Sequence, residues 1–358
     1  LGGPAEGGTL VTLTGAGYID RGGVWCRFGP DPLLSRTSLM QERRRQTLAP
    51  AAVRATLVSS TELRCLSPQS PHMGTLDDPL GGPVQLALTL NNDHEAYVES
   101  NTSFSYYLVA AFEEAVQVSY VMPVAGPAAG GSLLNITGQG FRHLGGVFCR
   151  FGSEDHVVPG TLVSAELMYC RSPAIINPMW TALAEVGMSE AVQVTLNGQD
   201  YTSSSAMFHF FDKTLVHVSE LVPPGGPLAG GTEVTLLGSG FAEHDVQCTV
   251  GVGSDMALVK ATVLNSSAMV CIMPERSAAG MEPIEVTLNR QVEAHTLTSD
   301  FVAFAFYDTS DIRIDSVAPL GGPAEGGTLV TLTGAGYIDR GGVWCRFGPD
   351  PLLSRTSL

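Results

Sequence analysis

LGGPAEGGTLVTLTGAGYIDRGGVWCRFGPDPLLSRTSL occupies residues 1–39 and returns without a single change at residues 320–358, so the sequence repeats after 319 residues. Diverged forms of the same opening occur in between, as AGPAAGGSLLNITGQGF at 125–141 and GGPLAGGTEVTLLGSGF at 225–241. A spacing of about 100 residues is too long for one turn of a solenoid and indicates separately folded domains in tandem. We therefore interpret the chain as a section of a periodic array with three domains per period.

The recurring opening also sets the expected domain boundaries. We expect three domains and the start of a fourth, at residues 1–109, 110–212, 213–309 and 310–358. The first domain lacks the opening strand that DIRIDSVAP at 311–319 supplies before the second copy, and it carries an insertion at 30–52. We expect this missing strand to come from whatever precedes the domain in the array.

The composition is that of an acidic chain rich in turns. It contains 41 glycines, 22 prolines and only two lysines, and its formal net charge is −16. Such a charge disfavours contact with nucleic-acid phosphates. No apolar run approaches the roughly 18 residues of a transmembrane helix. We expect neither nucleic-acid binding nor membrane contact within this stretch.

The cysteines fall as one pair per domain, which is typical of a disulfide framework in an oxidising compartment. Buried free thiols are the alternative. Cys345 is the image of Cys26 in the next period, and we expect it to pair beyond Leu358. The expected pairs are Cys26 with Cys65, Cys149 with Cys170, and Cys248 with Cys271.

Each expected domain also contains one N-x-S/T sequon, at Asn101, Asn135 and Asn265. Sequons arise often by chance, but Asn135 alternates with apolar neighbours and so should face solvent from a strand. Covalent glycans are therefore expected partners. Cysteines and sequons together predict passage through the secretory pathway and an extracellular or cell-surface location.

The local pattern of each domain is a series of short strands. In the first domain, GGTLVTLTG at 7–15 alternates apolar and polar residues, and VWCRFG at 24–29 and VQLALTL at 84–90 follow. An aromatic strand with Phe104 and Tyr106 two residues apart closes the domain. Because no stretch has a convincing helical period, we predict an all-β fold built from antiparallel sandwiches.

These segments together resemble the IPT/TIG domain (immunoglobulin-like, plexin, transcription factor). The resemblance rests on four features in constant order: the opening, a V-T-L-T-G-x-G-Y/F strand and turn, a C-x-F-G strand and a later C-x-x-P. The opening appears as VMPVAGPAAGGS at 121–132, LVPPGGPLAGGT at 221–232 and VAPLGGPAEGGT at 317–328. The resemblance implies tandem immunoglobulin-like sandwiches, arranged as beads in a rod or filament. Family members serve as modules of extracellular receptors, as dimerisation domains of DNA-binding proteins and as accessory domains of carbohydrate enzymes, so the fold does not name the function.

Other motifs give weaker signals. The repeated G-x-G, as in Gly15 and Gly17, fits a tight turn better than a dinucleotide site, because Asp20 stands where a glycine is needed and no helix follows. No arrangement of residues suggests catalysis, and we expect no enzyme and no cofactor. Asp308 and Asp311, at a domain junction, leave a weak interdomain calcium site open.

The insertion at 30–52 carries the only basic cluster of the chain, Arg43, Arg44 and Arg45. One interpretation is an exposed loop. The other is an assembly contact that docks on an acidic face of a neighbouring domain or chain.

The unchanged repeat favours a structural role, because a fibre needs identical contacts at regular intervals. We predict an extracellular filament whose partner is itself, head to tail. Side-by-side contacts between copies are a further option. The alternative is the stalk of a ligand-binding or adhesive cell-surface ectodomain. An accessory region of a carbohydrate-active enzyme is a third alternative, and it would need a catalytic domain that this sequence lacks.

Overall fold

The computed structural model of the chain describes residues 1–29, 51–70, 83–93, 97–108, 115–175, 187–203, 206–294, 296–339, 343–348 and 353–355. The elements with defined bounds in these ranges are β-strands and three short 3-10 turns, at Lys213–Leu215, Gly253–Asp255 and Thr309–Asp311. The predicted all-β class is confirmed.

The chain forms two compact units. The first comprises Leu1–Met122, Leu133–Ala174 and Ser189–Phe208, and the second comprises Pro123–Ser132, Ile175–Met188 and His209–Leu358. The expected first domain lies in the first unit and the expected third domain in the second. Residues of the expected second domain belong to both.

The first domain is a two-sheet sandwich. One sheet has the strand order β1-β8-β7-β3-β4 and the other has the order β2-β6-β5. Its strands are β1 (Gly2–Pro4), β2 (Leu10–Thr14), β3 (Trp25–Phe28), β4 (Ala51–Arg54), β5 (Thr56–Ser59), β6 (Glu62–Leu66), β7 (Pro83–Thr89) and β8 (Val98–Tyr107).

Apolar residues from both sheets meet in one core. Val11 and Leu13 of β2 point inward while their neighbours along the strand are exposed, as the alternating sequence predicts. They share a cluster with Phe28 and Phe104, whose rings meet edge to face at 5.3 Å. Each fully buried phenylalanine contributes about 1.5–3 kcal/mol of hydrophobic stabilisation, so these rings dominate the core.

The second domain supplies strands to both units. They are β9 (Gln117–Met122), β10 (Ala125–Pro127), β11 (Leu133–Gln139), β12 (Phe148–Phe151), β13 (Val157–Leu162), β14 (Leu167–Arg171), β15 (Met188–Thr195) and β16 (Ala206–Phe211). In the first unit, β15-β12-β13-β14-β11-β9 are neighbours in that order. Strand β13 is continuous, because its first half pairs with β12 and its second half with β14. The corresponding strand of the first domain is broken between β4 and β5, which leaves two separate sheets.

The second unit contains the third domain and the start of the fourth. The third domain has the strand order β17-β19-β22-β21-β20-β23-β24-β18, and the fourth contributes two antiparallel pairs, β25 with β26 and β27 with β28. These strands are β17 (His217–Val222), β18 (Gly225–Pro227), β19 (Glu233–Ser239), β20 (Gln247–Val250), β21 (Ala257–Asn265), β22 (Ala268–Ile272), β23 (Gly280–Thr287), β24 (Val302–Tyr307), β25 (Arg313–Ala318), β26 (Thr331–Ala335), β27 (Trp344–Arg346) and β28 (Leu353–Arg355).

The Gly-Pro opening of each domain begins with a short strand. Strands β1, β10 and β18 each pair in parallel with the last strand of the same domain, in the same register. Glycine is required there because the following threonine lies against it: a Cβ on Gly3 would stand 1.9 Å from Thr9 Oγ1, and one on Gly226 would stand 2.2 Å from Thr232 Oγ1. A three-residue strand of glycine and proline has no apolar period, so sequence patterns miss it.

Candidate functional site: the junctions between domains

The predicted cysteine pairs are bridged in the structure. The Cα atoms of Cys26 and Cys65 are 6.6 Å apart, those of Cys149 and Cys170 6.4 Å, and those of Cys248 and Cys271 6.5 Å. In the first domain this bridge joins β3 of one sheet to β6 of the other. Cys345 is unbridged.

The sequon asparagines all lie on exposed surface. Asn101 is on β8, Asn135 faces outward from β11, and Asn265 ends β21. The Asn265 carboxamide accepts hydrogen bonds from the Ser267 backbone NH and hydroxyl, both at 2.8 Å. All three sites are open to solvent, and their glycosylation stays a prediction.

Asp308, for which the sequence left a weak calcium site open, caps a turn. Asp308 Oδ1 accepts a hydrogen bond of 2.8 Å from the Ser310 NH, and this bond lowers the pKa of the Asp308 carboxyl. In the described ranges, no group of three or more His, Cys, Asp or Glu side chains could hold a metal ion. The same ranges contain no helix long and apolar enough to cross a membrane. Arg43, Arg44 and Arg45 lie outside the described residues.

A recurring polar turn follows the penultimate strand of each domain. We call the segments 89–93, 195–199 and 287–291 junction turns. In each, a threonine hydroxyl donates to the carboxamide oxygen of an asparagine two residues later, and the next residue is left-handed. The threonine–asparagine pairs are Thr89–Asn91 (2.7 Å), Thr195–Asn197 (3.1 Å) and Thr287–Asn289 (2.9 Å). The left-handed residues are Asn92 (φ 60°), Gly198 (φ 80°) and Arg290 (φ 61°).

Within the first unit, the junction turn of the second domain holds the edge of the first domain. Asn197 Nδ2 donates to the Gly2 carbonyl at 3.1 Å and to the Tyr107 hydroxyl at 3.0 Å. Gln199 bonds both backbone groups of Leu10: its Nε2 donates to the carbonyl at 3.1 Å, and its Oε1 accepts from the NH at 3.0 Å. The Gln199 carboxamide thus pairs with the edge strand β2 as the backbone of a neighbouring strand would.

Tyr107 completes this network from the last strand of the first domain. It is 1% exposed, and its hydroxyl donates to Asp200 Oδ2 at 2.7 Å. Burial is the main cause that raises the pKa of Tyr107, and the hydrogen bond to Asp200 adds to it. The phenol therefore stays neutral and serves as both donor and acceptor.

Within the second unit, the junction turn of the third domain holds the edge of the second domain, and its asparagine is more buried. Asn289 is fully buried and donates to Ser132 Oγ at 3.3 Å. Ala125 and Phe211 share one buried cluster with core residues of the third domain such as Val216 and Leu221. This junction combines the Asn289–Ser132 hydrogen bond with apolar packing.

Two histidines of the second unit lie against each other. The rings of His209 on β16 and His244 on the loop after β19 are stacked. The pKa of His209 is lowered to about 4, first by burial and then by the charge of His244. Burial also lowers the pKa of His244, against a smaller opposite effect of Glu243. Both rings are therefore neutral at physiological pH.

Comparison with known proteins identifies the domains. The sequence matches the IPT/TIG domain at residues 117–210 and 217–303, about half of the chain. The chain belongs to the IPT/TIG family. The tandem TIG arrangement predicted from the sequence motifs is thereby confirmed.

Several curated relatives are much longer proteins. Fibrocystin-L of Mus musculus is 24% identical over 223 residues, which is 62% of this chain and 5% of that protein. Human plexin-A3 is 24% identical over 227 residues, 61% of this chain and 11% of the relative, and human plexin-B1 is 35% identical over 127 residues, 34% and 5%. The TIG chain therefore spans 5–11% of the length of these relatives. Among solved structures, the plexin A4 full extracellular region aligns with 90% of this chain and 26% of its own at 15% identity, with a TM-score of 0.42.

The TIG junction turns were missed by sequence reasoning, although a signal was present. The tripeptide T-L-N occurs once in each complete domain, at 89–91, 195–197 and 287–289. An asparagine placed after an apolar strand suggests only a turn. The second role of its carboxamide, as a donor to the preceding TIG domain, depends on partners 90 to 195 residues away in the sequence, which no local pattern encodes.

Proposed function

We propose that this chain is a non-enzymatic section of an extracellular stalk, in which successive TIG domains are held to one another so that they space other parts of a cell-surface protein. The observation that carries the proposal is the similarity of the tandem TIG domains to plexins and fibrocystin-L. A region that covers only a small part of such long proteins suits a spacer role.

The junctions support the same role. Asn197 and Asn289 occupy equivalent turns and bind the preceding domain through their side-chain amides. Contacts that recur from domain to domain restrict hinge motion, because each opening would expose buried polar and apolar groups together. The polar side chains of these turns are engaged in hydrogen bonds that hold domains together.

The bridged cysteines support the extracellular part of the proposal. Three disulfides in three successive domains are expected of a protein that matures in an oxidising compartment. The exposed sequons are compatible with that route.

The filament predicted from the periodic sequence is a second candidate, and the observation that favours it is the unchanged repeat of residues 1–39 at 320–358. The similarity to plexins favours the stalk over the filament. A stalk needs contacts only along the chain, whereas a filament of separate chains also needs contacts between copies.

Sedimentation velocity of the chain, secreted from animal cells with its disulfides formed, separates the two candidates. The stalk predicts a monomer over the whole accessible concentration range. Growth into long assemblies, visible by electron microscopy, would reject the stalk in favour of the filament. A matched sample reduced and alkylated after unfolding serves as the control for non-specific aggregation.

A further inference from the structure

The first domain presents a complete junction turn whose asparagine is exposed. Asn91 accepts from Thr89 and from the Asp93 NH through Oδ1, as its counterparts do within their own turns. Yet Asn91 is exposed, whereas Asn197 is half-buried and Asn289 is fully buried. The turn thus has the same fold as the other two junction turns although its asparagine is exposed.

We propose that the junction turn 89–93 docks on the Gly-Pro edge of a preceding TIG domain with the sequence of the third domain, with Asn91 Nδ2 donating to the Gly225 carbonyl and the Tyr307 hydroxyl. We call Gly225–Pro227 together with Tyr307 the receiving edge. This interaction goes beyond the stalk proposal, because it assigns a partner to a surface that the chain leaves uncovered.

The backbone of the receiving edge reproduces the edge that Asn197 binds. Gly225 and Pro227 pair with Ala305 and Tyr307 in the register in which Gly2 and Pro4 pair with Ser105 and Tyr107. The flanking hydrogen bonds also correspond: the Ala305 NH donates to the Pro224 carbonyl at 3.0 Å, and the Ser105 NH donates to the Leu1 carbonyl at 2.9 Å. The Gly225 carbonyl is therefore placed as the Gly2 carbonyl is.

The side chains select the third domain over the second as the partner. Tyr307 offers a hydroxyl at the position of Tyr107, whereas the second domain has Phe211 there. Correspondingly, Asn289 binds Ser132 at the edge of the second domain and has no phenol to bind. An asparagine that follows the pattern of Asn197 needs the glycine carbonyl and the tyrosine together, and the third domain supplies both.

The order of domains in the sequence points the same way. A copy of the start of the first domain follows the third domain directly, since residues 320–358 repeat residues 1–39. In the array, a domain with the sequence of the first domain therefore follows a domain with the sequence of the third.

Position 93 departs from the observed junctions. Asp93 replaces the glutamine of the other turns, and Glu233 stands where the first domain has Leu10. Two carboxylates cannot form the two-way bond that Gln199 makes, so docking depends on Asn91.

The test uses this chain continued after residue 358 by a second copy of residues 40–109, which completes the fourth domain. Hydrogen exchange is followed in peptide 225–232, whose sequence GGPLAGGT occurs once. We expect these amides to exchange about two- to tenfold more slowly than in the 358-residue chain, as one added hydrogen bond would give. Replacing asparagine by aspartate at position 91 of the appended copy should remove that protection, because Asp keeps the oxygen that folds the turn but has no amide to donate.

Two further variants make the outcome decisive. Ser132→Ala should accelerate exchange in peptide 125–132 by a similar factor, since it removes the hydroxyl that the Asn289 amide binds at an observed junction. Asn92→Gly in the appended copy should change nothing, because glycine occupies that position in the second domain. Equal exchange of peptide 225–232 in the continued and 358-residue chains, or no effect of Asn91→Asp, would overturn the docking proposal. The stalk proposal would survive that result as long as the chain stays monomeric.

Discussion

The imidazole rings of His209 and His244 stack with their centroids 4.2 Å apart and their planes inclined by 28°. Gly187 leaves the room for this pair, since a Cβ there would stand 2.3 Å from His209 Nε2. Protonating either ring would place a cation in a half-buried site beside another titratable ring. The stack therefore couples the packing of this region to pH.

We predict that acidification destabilises the second unit through His209. The pKa of this histidine is about 4 when folded and 6.5 when unfolded, so the unfolded chain takes up the proton first as the pH falls. The contribution is complete above pH 6.5 and is lost as the pH falls toward about 4. Thermal unfolding of the chain should therefore show a midpoint that decreases with pH in this window, and His209→Phe should flatten the decrease.

His217 provides a control of opposite sign. Its hydrogen bond to Asp300 raises the pKa of His217, so its contribution is present at acid pH and is lost as the pH rises through the folded pKa. His217→Gln should thus weaken the chain at acid pH and have less effect at alkaline pH. If the midpoint of thermal unfolding changed with pH equally in the wild type and in His209→Phe, the role assigned to the stacked histidines would be contradicted.

Removing one disulfide should cost each domain a large part of its stability. The bridges close loops with sequence separations of 39, 21 and 23 residues. Loop-closure entropy assigns about 3–4 kcal/mol to loops of this size. The double variant Cys149→Ala and Cys170→Ala should lower the free energy of unfolding by that amount in denaturant titrations. Cys345→Ser should leave it unchanged, and a cost below about 1 kcal/mol for the double variant would disagree with the entropic account.

The exposed sequons predict three N-linked glycans. Asn135→Gln should lower the intact mass of the chain secreted from animal cells by one glycan, because the outward face of β11 is accessible. Thr137→Ser is the matched control, since it preserves the sequon and should preserve the mass of the glycan. An unmodified wild-type chain from these cells would rule the sites out.

The repeated G-x-G contains a glycine that has no room for a side chain. A Cβ on Gly238 would stand 1.9 Å from the His217 carbonyl oxygen, and a backbone atom cannot move away as a flexible side chain can. Gly238→Ala should therefore destabilise the third domain by about 1–3 kcal/mol, the usual cost of overpacking. Gly280→Ala is the matched control, because no atom would lie within 4 Å of the added Cβ. Denaturant titrations of both variants measure the two costs. Equal costs for the two substitutions would contradict the steric explanation.

The second glycine of the G-x-G bears on the discarded nucleotide interpretation. Gly17, Gly140 and Gly240 have φ values of 77°, 74° and 72°, as tight turns require. The segments that follow are loops leading to strands. The preference for a turn, which rested on Asp20 at the sixth position, agrees with this geometry.

Sequence patterns alone determined the all-β class, the tandem order and the strands that alternate or carry aromatics, because each signal is local. Val11 and Leu13 alternate within one strand, and Phe104 and Tyr106 are two residues apart. The cysteine pairs followed from one pair per domain. The short parallel strand Gly2–Pro4 could not be predicted, since its pairing depends on β8, about 100 residues away.

The junctions were decided only by the tertiary structure. The sequence contains T-L-N in every complete domain, and this tripeptide predicts a turn because the asparagine oxygen can close it locally. Which group the amide of Asn197 or Asn289 then binds depends on the carbonyl, phenol or hydroxyl that folding brings beside it. Local chemistry thus determined the shape of each turn, and long-range packing determined its partner.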